Sequence, residues 1–163
     1  MNTDSPLLEG LDPILDKRVE TLILGSFPSV KSREAAFFYG HPQNRFWRVT
    51  AAIFGAKTPE TIPEKKRFLL QNGIALWDVI ASCDIEGSAD TSIKNVTPND
   101  LSFLLNTCDI KKIFTNGKAA HKLYNQYLLP QTAREAIYLP STSPANAAFS
   151  LEKLIEQWKA ILI

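Results

Sequence analysis

Residues 38–47, Phe-Tyr-Gly-His-Pro-Gln-Asn-Arg-Phe-Trp, put aromatic rings, an imidazole, two amides and a guanidinium into one short stretch. Gly40 and Pro42 mark a turn. Asn44 stands where that turn runs into a helical pattern. A carboxamide in this place has two uses. Its oxygen can cap the helix, or the group can work on a ligand, accepting from a water through oxygen and donating through nitrogen. Chemistry of the same kind recurs at Gly25-Ser26-Phe27-Pro28-Ser29, at Trp77-Asp78, at Thr115-Asn116-Gly117-Lys118 and at Leu139-Pro140-Ser141-Thr142-Ser143-Pro144. Aromatic faces stack bases. Amides read hydrogen-bonding edges, and hydroxyls at helix starts hold phosphates.

Each of these segments follows a short apolar run, at residues 21–25, 73–77, 112–115 and 136–139. The runs are continuous rather than alternating, as expected for parallel strands covered on both faces. Between them lie helical patterns. One covers 44–54 and ends at Gly55. A second covers 61–72, with a Thr61 cap, Pro63 in the first turn and Glu64 at the capping-box position. A third opens on Thr97-Pro98 and runs to Asn106, a fourth covers 117–128, and the last starts near Pro144. Residues 81–96 read as a long polar connection, of a kind that is often functional. This order predicts an α/β protein, a three-layer α/β/α sandwich on a central four-stranded parallel sheet, in one domain spanning 1–163. In such sheets ligands bind beyond the carboxyl ends of the strands. All of the chemistry-bearing segments therefore converge on one edge.

Composition narrows the class. An apolar fraction of 45% with 21% charged residues describes an ordinary globular chain. No apolar run is long enough for a membrane span, and no basic region followed by an apolar stretch suggests a secretory signal. Cys83 and Cys108 are far apart, which argues against a zinc or iron–sulfur site and suits a reducing cytoplasm. The net charge is +1, but Lys31, Arg33, Arg45 and Arg48 cluster, as do Lys111, Lys112, Lys118 and Lys122. These clusters are either solvated helix faces or a phosphate-binding surface.

The segments Gly25-Ser26-Phe27-Pro28-Ser29, His41-Pro42-Gln43-Asn44-Arg45-Phe46-Trp47 and Leu139-Pro140-Ser141-Thr142-Ser143, in this order on a strand–helix frame, resemble the uracil-DNA glycosylase superfamily. Gly25-Ser26-Phe27-Pro28-Ser29 combined with the run from Leu139 to Asn146 resembles its hypoxanthine-DNA glycosylase branch. The resemblance implies a monofunctional enzyme of DNA base-excision repair with no metal and no organic cofactor, acting as a monomer on DNA that carries a deaminated base. Hypoxanthine is the expected base. Uracil or mismatched thymine is the alternative, and a non-catalytic nucleic-acid-binding module is a second one. Most of the superfamily carries a polar residue where Phe27 stands, so the resemblance moves the catalytic role to Asn44.

The other expectations each have a structural counterpart. Phe27 is a stacking platform for the flipped base or a core ring. Tyr39 and His41 stack on or bond the base, or His41 serves its turn. Asp78 and Asn116 contact the base, or cap a turn and a helix. Ser29, Lys118, Ser141, Thr142 and Ser143 grip phosphates, with Ser143 also able to cap the last helix. Phe46, Trp47 and Trp158 belong to the core.

Overall fold

The computed structural model describes residues 8–162. In chain order its strands are β1 (Leu8–Glu9), β2 (Thr21–Gly25), β3 (Ile74–Asp78), β4 (Ile80–Asp84), β5 (Lys94–Pro98), β6 (Lys112–Asn116) and β7 (Ile137–Leu139). The helices are α1 (Val30–Ala35), α2 (Phe46–Ile53), α3 (Ile62–Gln71), α4 (Ser102–Thr107), α5 (Lys118–Leu123), α6 (Leu129–Thr132) and α7 (Leu151–Trp158). The four apolar runs form a four-stranded sheet in the order β3-β2-β6-β7, every pairing parallel.

Alternation along each strand divides the core into two layers. Ile23, Leu76 and Phe114 pack with Phe46 and Trp47 of α2, Phe68 of α3 and Leu154 and Trp158 of α7. Leu22, Leu24, Ala75 and Ile113 face the other way, toward Leu104 of α4 and Tyr124 and Leu128 beyond α5. Phe46, Trp47 and Trp158 are core residues, as their helical spacing indicated. Trp158 also donates its indole N–H to the carbonyl of Pro140 at 2.9 Å, which ties α7 to the segment after β7. Helix α3 has the capping box read from Thr61 and Glu64, with both reciprocal bonds made.

Three expectations change. Residues 81–96 are not one open connection, because they hold most of an antiparallel sheet in the order β1-β4-β5. Its β5 is polar and largely exposed, so it lacks the apolar signature that marks buried strands. Thr97-Pro98 closes that strand rather than opening a helix, and α4 starts at Ser102, whose N–H is held by the Asp100 carboxylate. The last helix begins at Leu151 with Ser150 as its cap, not near Pro144. Residues 143–149 are held instead by Arg45, whose guanidinium donates to the carbonyls of Ser143, Asn146 and Phe149. One member of the first basic cluster is therefore an internal clamp.

Candidate active site

The strand register builds the site. Gly25 pairs with Asp78 and Asn116 with Leu139, so the ends of β2, β3 and β6 meet the Ser141–Ser143 segment at one edge. A Cβ on Gly25 would lie 2.5 Å from Oδ1 of Asp78, so glycine alone lets the carboxyl group fold over the strand end. A cavity of about 130 Å³ opens there, with Phe27, Tyr39, Asn44, Asp78 and Asn116 in its wall.

The aromatic loop is a wall of the cavity because its rings fold inward. Ser29 caps α1, accepting the N–H of Ser32 and donating to the Ser32 hydroxyl. Ser32 Oγ accepts the N–H of Gly40. Phe37 and Phe38 are buried, and the Tyr39 ring stacks on Phe46 at 4.3 Å. Tyr39 has φ of 51°, a left-handed backbone that costs a residue with a Cβ about 1–2 kcal/mol. The Tyr39 carbonyl accepts from the Trp47 indole, which helps to hold that conformation. The buried rings thus aim the tyrosine hydroxyl toward Gly25 and Asp78.

Asn44 sits in a chain of bonds that joins three motifs. Its Oδ1 accepts from the N–H of Phe46 and from the Thr142 hydroxyl, each at 2.9 Å. Thr142 in turn accepts from Asn116 Nδ2 and donates its N–H to Asn116 Oδ1, both at 3.0 Å. Because a backbone N–H can only donate, the oxygen and nitrogen of Asn44 are unambiguous. Both lone pairs of the oxygen are engaged by protein donors. The nitrogen has no partner among the described residues and is the polar atom that Asn44 offers to the cavity. Asn44 is not the cap of α2, since the helix starts at Phe46 with Arg45 in the cap position; it braces the first N–H of the helix from one residue outside, and the atom it leaves free for a ligand is the donor, not the acceptor expected to hold a water.

Two other groups are left open. The Asp78 side chain is 4% exposed, and its Oδ2 has no hydrogen-bond partner. The buried Tyr39 hydroxyl makes no hydrogen bond of full geometry, although the Asn116 side chain lies beside it. Burial, reinforced by the negative charge of Asp90, pushes the Asp78 carboxyl up to about 7. Burial and the nearby Asp78 charge push the Tyr39 phenol far above its usual range. Unpaired buried polar groups cost about 1–3 kcal/mol each.

Most of the residues expected at the site do line this cavity: Phe27, Ser29, Tyr39, Asn44, Asp78, Asn116 and the run Ser141 to Ser143. Their chemistry differs in detail. Phe27 is 8% exposed and carries the Arg33 guanidinium 5.6 Å from its ring centre, so it belongs to both core and wall. Thr142 is fully buried with its hydroxyl committed to Asn44, which leaves it no means of gripping a phosphate. Ser141 and Ser143 accept backbone N–H bonds and keep their own O–H protons to donate. His41 is not in the wall; its Nδ1 accepts from the N–H of Gln43 and serves the turn. Lys118 lies outside as well, on an exposed groove with His121, Lys122 and Tyr138. Ser26, Ser88 and Asp90 line the cavity without having been singled out. The only hint of the last two was the length of the polar connection that contains them.

Fold and cavity together define an α/β protein with a cavity of aromatic and hydrogen-bonding groups at the carboxyl edge of its sheet. The family model for the uracil DNA glycosylase superfamily matches residues 13–162. A hypoxanthine DNA glycosylase of Methanosarcina acetivorans is 37% identical over 154 residues, covering 93% of this chain and 96% of that one. A protein of the same description from Methanosarcina barkeri is 36% identical, covering 85% of this chain and 87% of its own. A solution NMR structure of a candidate uracil DNA glycosylase from Methanosarcina acetivorans superposes with a TM-score of 0.82 at 35% identity, over 96% of each chain. The chain belongs to the uracil DNA glycosylase superfamily.

Proposed function

We propose that this protein is a monofunctional DNA glycosylase that releases hypoxanthine from DNA by hydrolysing the bond between the base and C1′ of deoxyinosine. One observation carries the reading. Two buried polar groups, Asp78 Oδ2 and the Tyr39 hydroxyl, stand unpartnered in a cavity that also presents Phe27 and the Asn44 amide. Hypoxanthine has the N7 and O6 acceptors of a guanine edge. A neutral Asp78 and the Tyr39 phenol are donors suited to such acceptors. The relatives named for hypoxanthine agree with this choice.

The chemistry follows from those groups. The base must leave the stack before the bond to C1′ can be reached. Phe27 gives it a face to lie on. As the bond breaks, the sugar becomes cationic and the base gains electron density. A proton from Asp78 and hydrogen bonds from Tyr39 and Asn44 Nδ2 act where that density collects, in a site that is already organised. Asn116 acts through Thr142, holding Asn44 in place. Ser141 and Ser143 offer hydroxyl protons to the phosphates at the rim, and Lys118 meets the backbone further along the strand. Among the described residues the cavity wall presents no lysine, which supports hydrolysis without a Schiff base.

The test is single-turnover base release from oligonucleotides carrying one deoxyinosine, one deoxyuridine or one mismatched thymine, single- and double-stranded. Inosine is expected to give the fastest release. Asn44→Ala is expected to lower that rate by roughly 10²–10³, the usual loss for one oriented donor. Release of uracil or thymine alone would reassign the base. Tight binding of inosine DNA with no release would leave a binding module.

A further inference from the structure

The cavity wall made by the β4–β5 connection is fastened to the segment that follows β2. Ser26 Oγ donates to Asp90 Oδ1 at 2.9 Å, Val30 N–H donates to Ser88 Oγ at 2.9 Å, and the Arg33 guanidinium donates to the Gly87 carbonyl. Inside the connection Ser92 Oγ accepts the N–H of Glu86 and donates to the Ala89 carbonyl. These bonds hold Asp90 in the cavity wall with Ser26 and Phe27. Its Oδ2 takes no hydrogen bond among the described residues.

The reaction needs something this site otherwise lacks. A water that attacks C1′ must give up a proton, so a group with a free lone pair and basic character has to stand near it. Phe27 has no lone pair. The Asn44 oxygen is engaged twice by protein donors, and an amide is a poor base in any case. Asp78 is nine-tenths buried and is better suited to hold its proton than to take one. Ser141 and Ser143 are alcohols. Asp90 is the remaining carboxylate, less deeply placed than Asp78 and already fixed through one oxygen by Ser26. Two acids in one cavity with unequal environments divide naturally into a proton donor and a proton acceptor.

We propose that Asp90 is a catalytic residue, the carboxylate that holds and deprotonates the attacking water, with Ser26 as its positioning residue. The role rests on the glycosylase reading above. The electron pair of the C1′–N bond leaves with the base, which takes a proton from Asp78. A lone pair of the water forms the C1′–O bond, and one water proton passes to Asp90 Oδ2. Asp90 then releases its proton to solvent and Asp78 recovers one, so deoxyinosine and water give an abasic site and hypoxanthine.

The experiment compares Asp90→Asn with the wild-type chain in single-turnover release from deoxyinosine DNA and, separately, in equilibrium binding to that DNA. Asparagine can still accept the Ser26 bond, so the loop should stay in place and the melting temperature should not change. Release is expected to fall 10²–10⁴-fold, the range for loss of a general base. Binding should be unchanged or tighter, because a negative charge next to the DNA backbone has been removed. Asp90→Ala is expected to recover release when formate is added. A fall of less than tenfold in Asp90→Asn, or loss of binding in step with rate, would overturn the role while leaving the glycosylase reading intact. If the wild-type chain itself released no base, the reading and this role would fall together.

Discussion

The Asn44 oxygen braces the start of α2 by accepting the Phe46 N–H, and the amide nitrogen is a second polar atom that this bond does not use. That makes position 44 a place where stability and chemistry can be separated. In Asn44→Asp the carboxylate still accepts from Phe46 and Thr142, while the Nδ2 donor is gone. Release from deoxyinosine DNA is expected to drop about 100-fold with the melting temperature held. A rate equal to or above wild type would show that the reaction needs an acceptor at this position. Gly25 is a second informative position. Gly25→Ala drives a methyl group into the Asp78 carboxyl. A loss of about 1–3 kcal/mol in urea unfolding is expected, as for other overpacked sites. Base release should be lost with it, since Asp78 has to move.

The elements that carry the site are short, and much of their order comes from the links between them. Helix α2 has eight residues, yet it is tied to the Ser141–Phe149 segment through Arg45 and Asn44 and packed on α7 through Phe46 and Trp158. Arg45→Met would leave the carbonyls of Ser143, Asn146 and Phe149 without that donor. Bonds to charged donors contribute roughly 1.5–3 kcal/mol each. Amide hydrogen exchange is therefore expected to speed up across residues 141–149 and to stay slow in β2 and β6. Base release should fall as well, because Thr142 would no longer hold Asn44 in a fixed direction.

For the whole molecule, one buried acid links folding to the proposed chemistry. The Asp78 carboxyl is raised to about 7 in the folded chain by burial and by the charge of Asp90, against about 3.9 for an unfolded aspartate. The folded state therefore binds the proton more tightly. Below about pH 4 Asp78 is protonated in both states and carries no penalty. As pH rises toward 7 the unfolded chain ionises freely and the folded chain does not, so stability is lost across that window, by up to about 4 kcal/mol. Asp78→Asn removes the ionisation. Its melting temperature is expected to exceed that of wild type at pH 8 by several degrees more than at pH 4. In the proposed mechanism the same proton serves the leaving base, so wild-type release should decline on the alkaline side with a midpoint near 7. Asp78→Asn should flatten that limb. Different midpoints in the two measurements would separate the donor role from the stability effect.

Local patterns were enough to read the frame. Four apolar runs make a parallel sheet because each strand buries both of its faces, and Thr61 and Glu64 cap α3 because that motif is complete within four residues. They also pointed to the edge where the cavity opens, since strand order puts Gly25, Asp78, Asn116 and Ser141 together there. They could not show β5, whose polar residues pair at an exposed edge, or the true start of α7, where Arg45 holds the preceding turns open. The chemistry of individual atoms was decided only by tertiary structure. Thr142 lies 98 positions from Asn44 and determines which of its atoms stays free. Ser26 lies 64 positions from Asp90 and holds it in the cavity. Burial beneath the loop wall makes Asp78 a weak acid. Hydrogen-bond capacity and proton affinity depend on which groups the folded chain brings within a few ångströms, and no local stretch of sequence contains that distance.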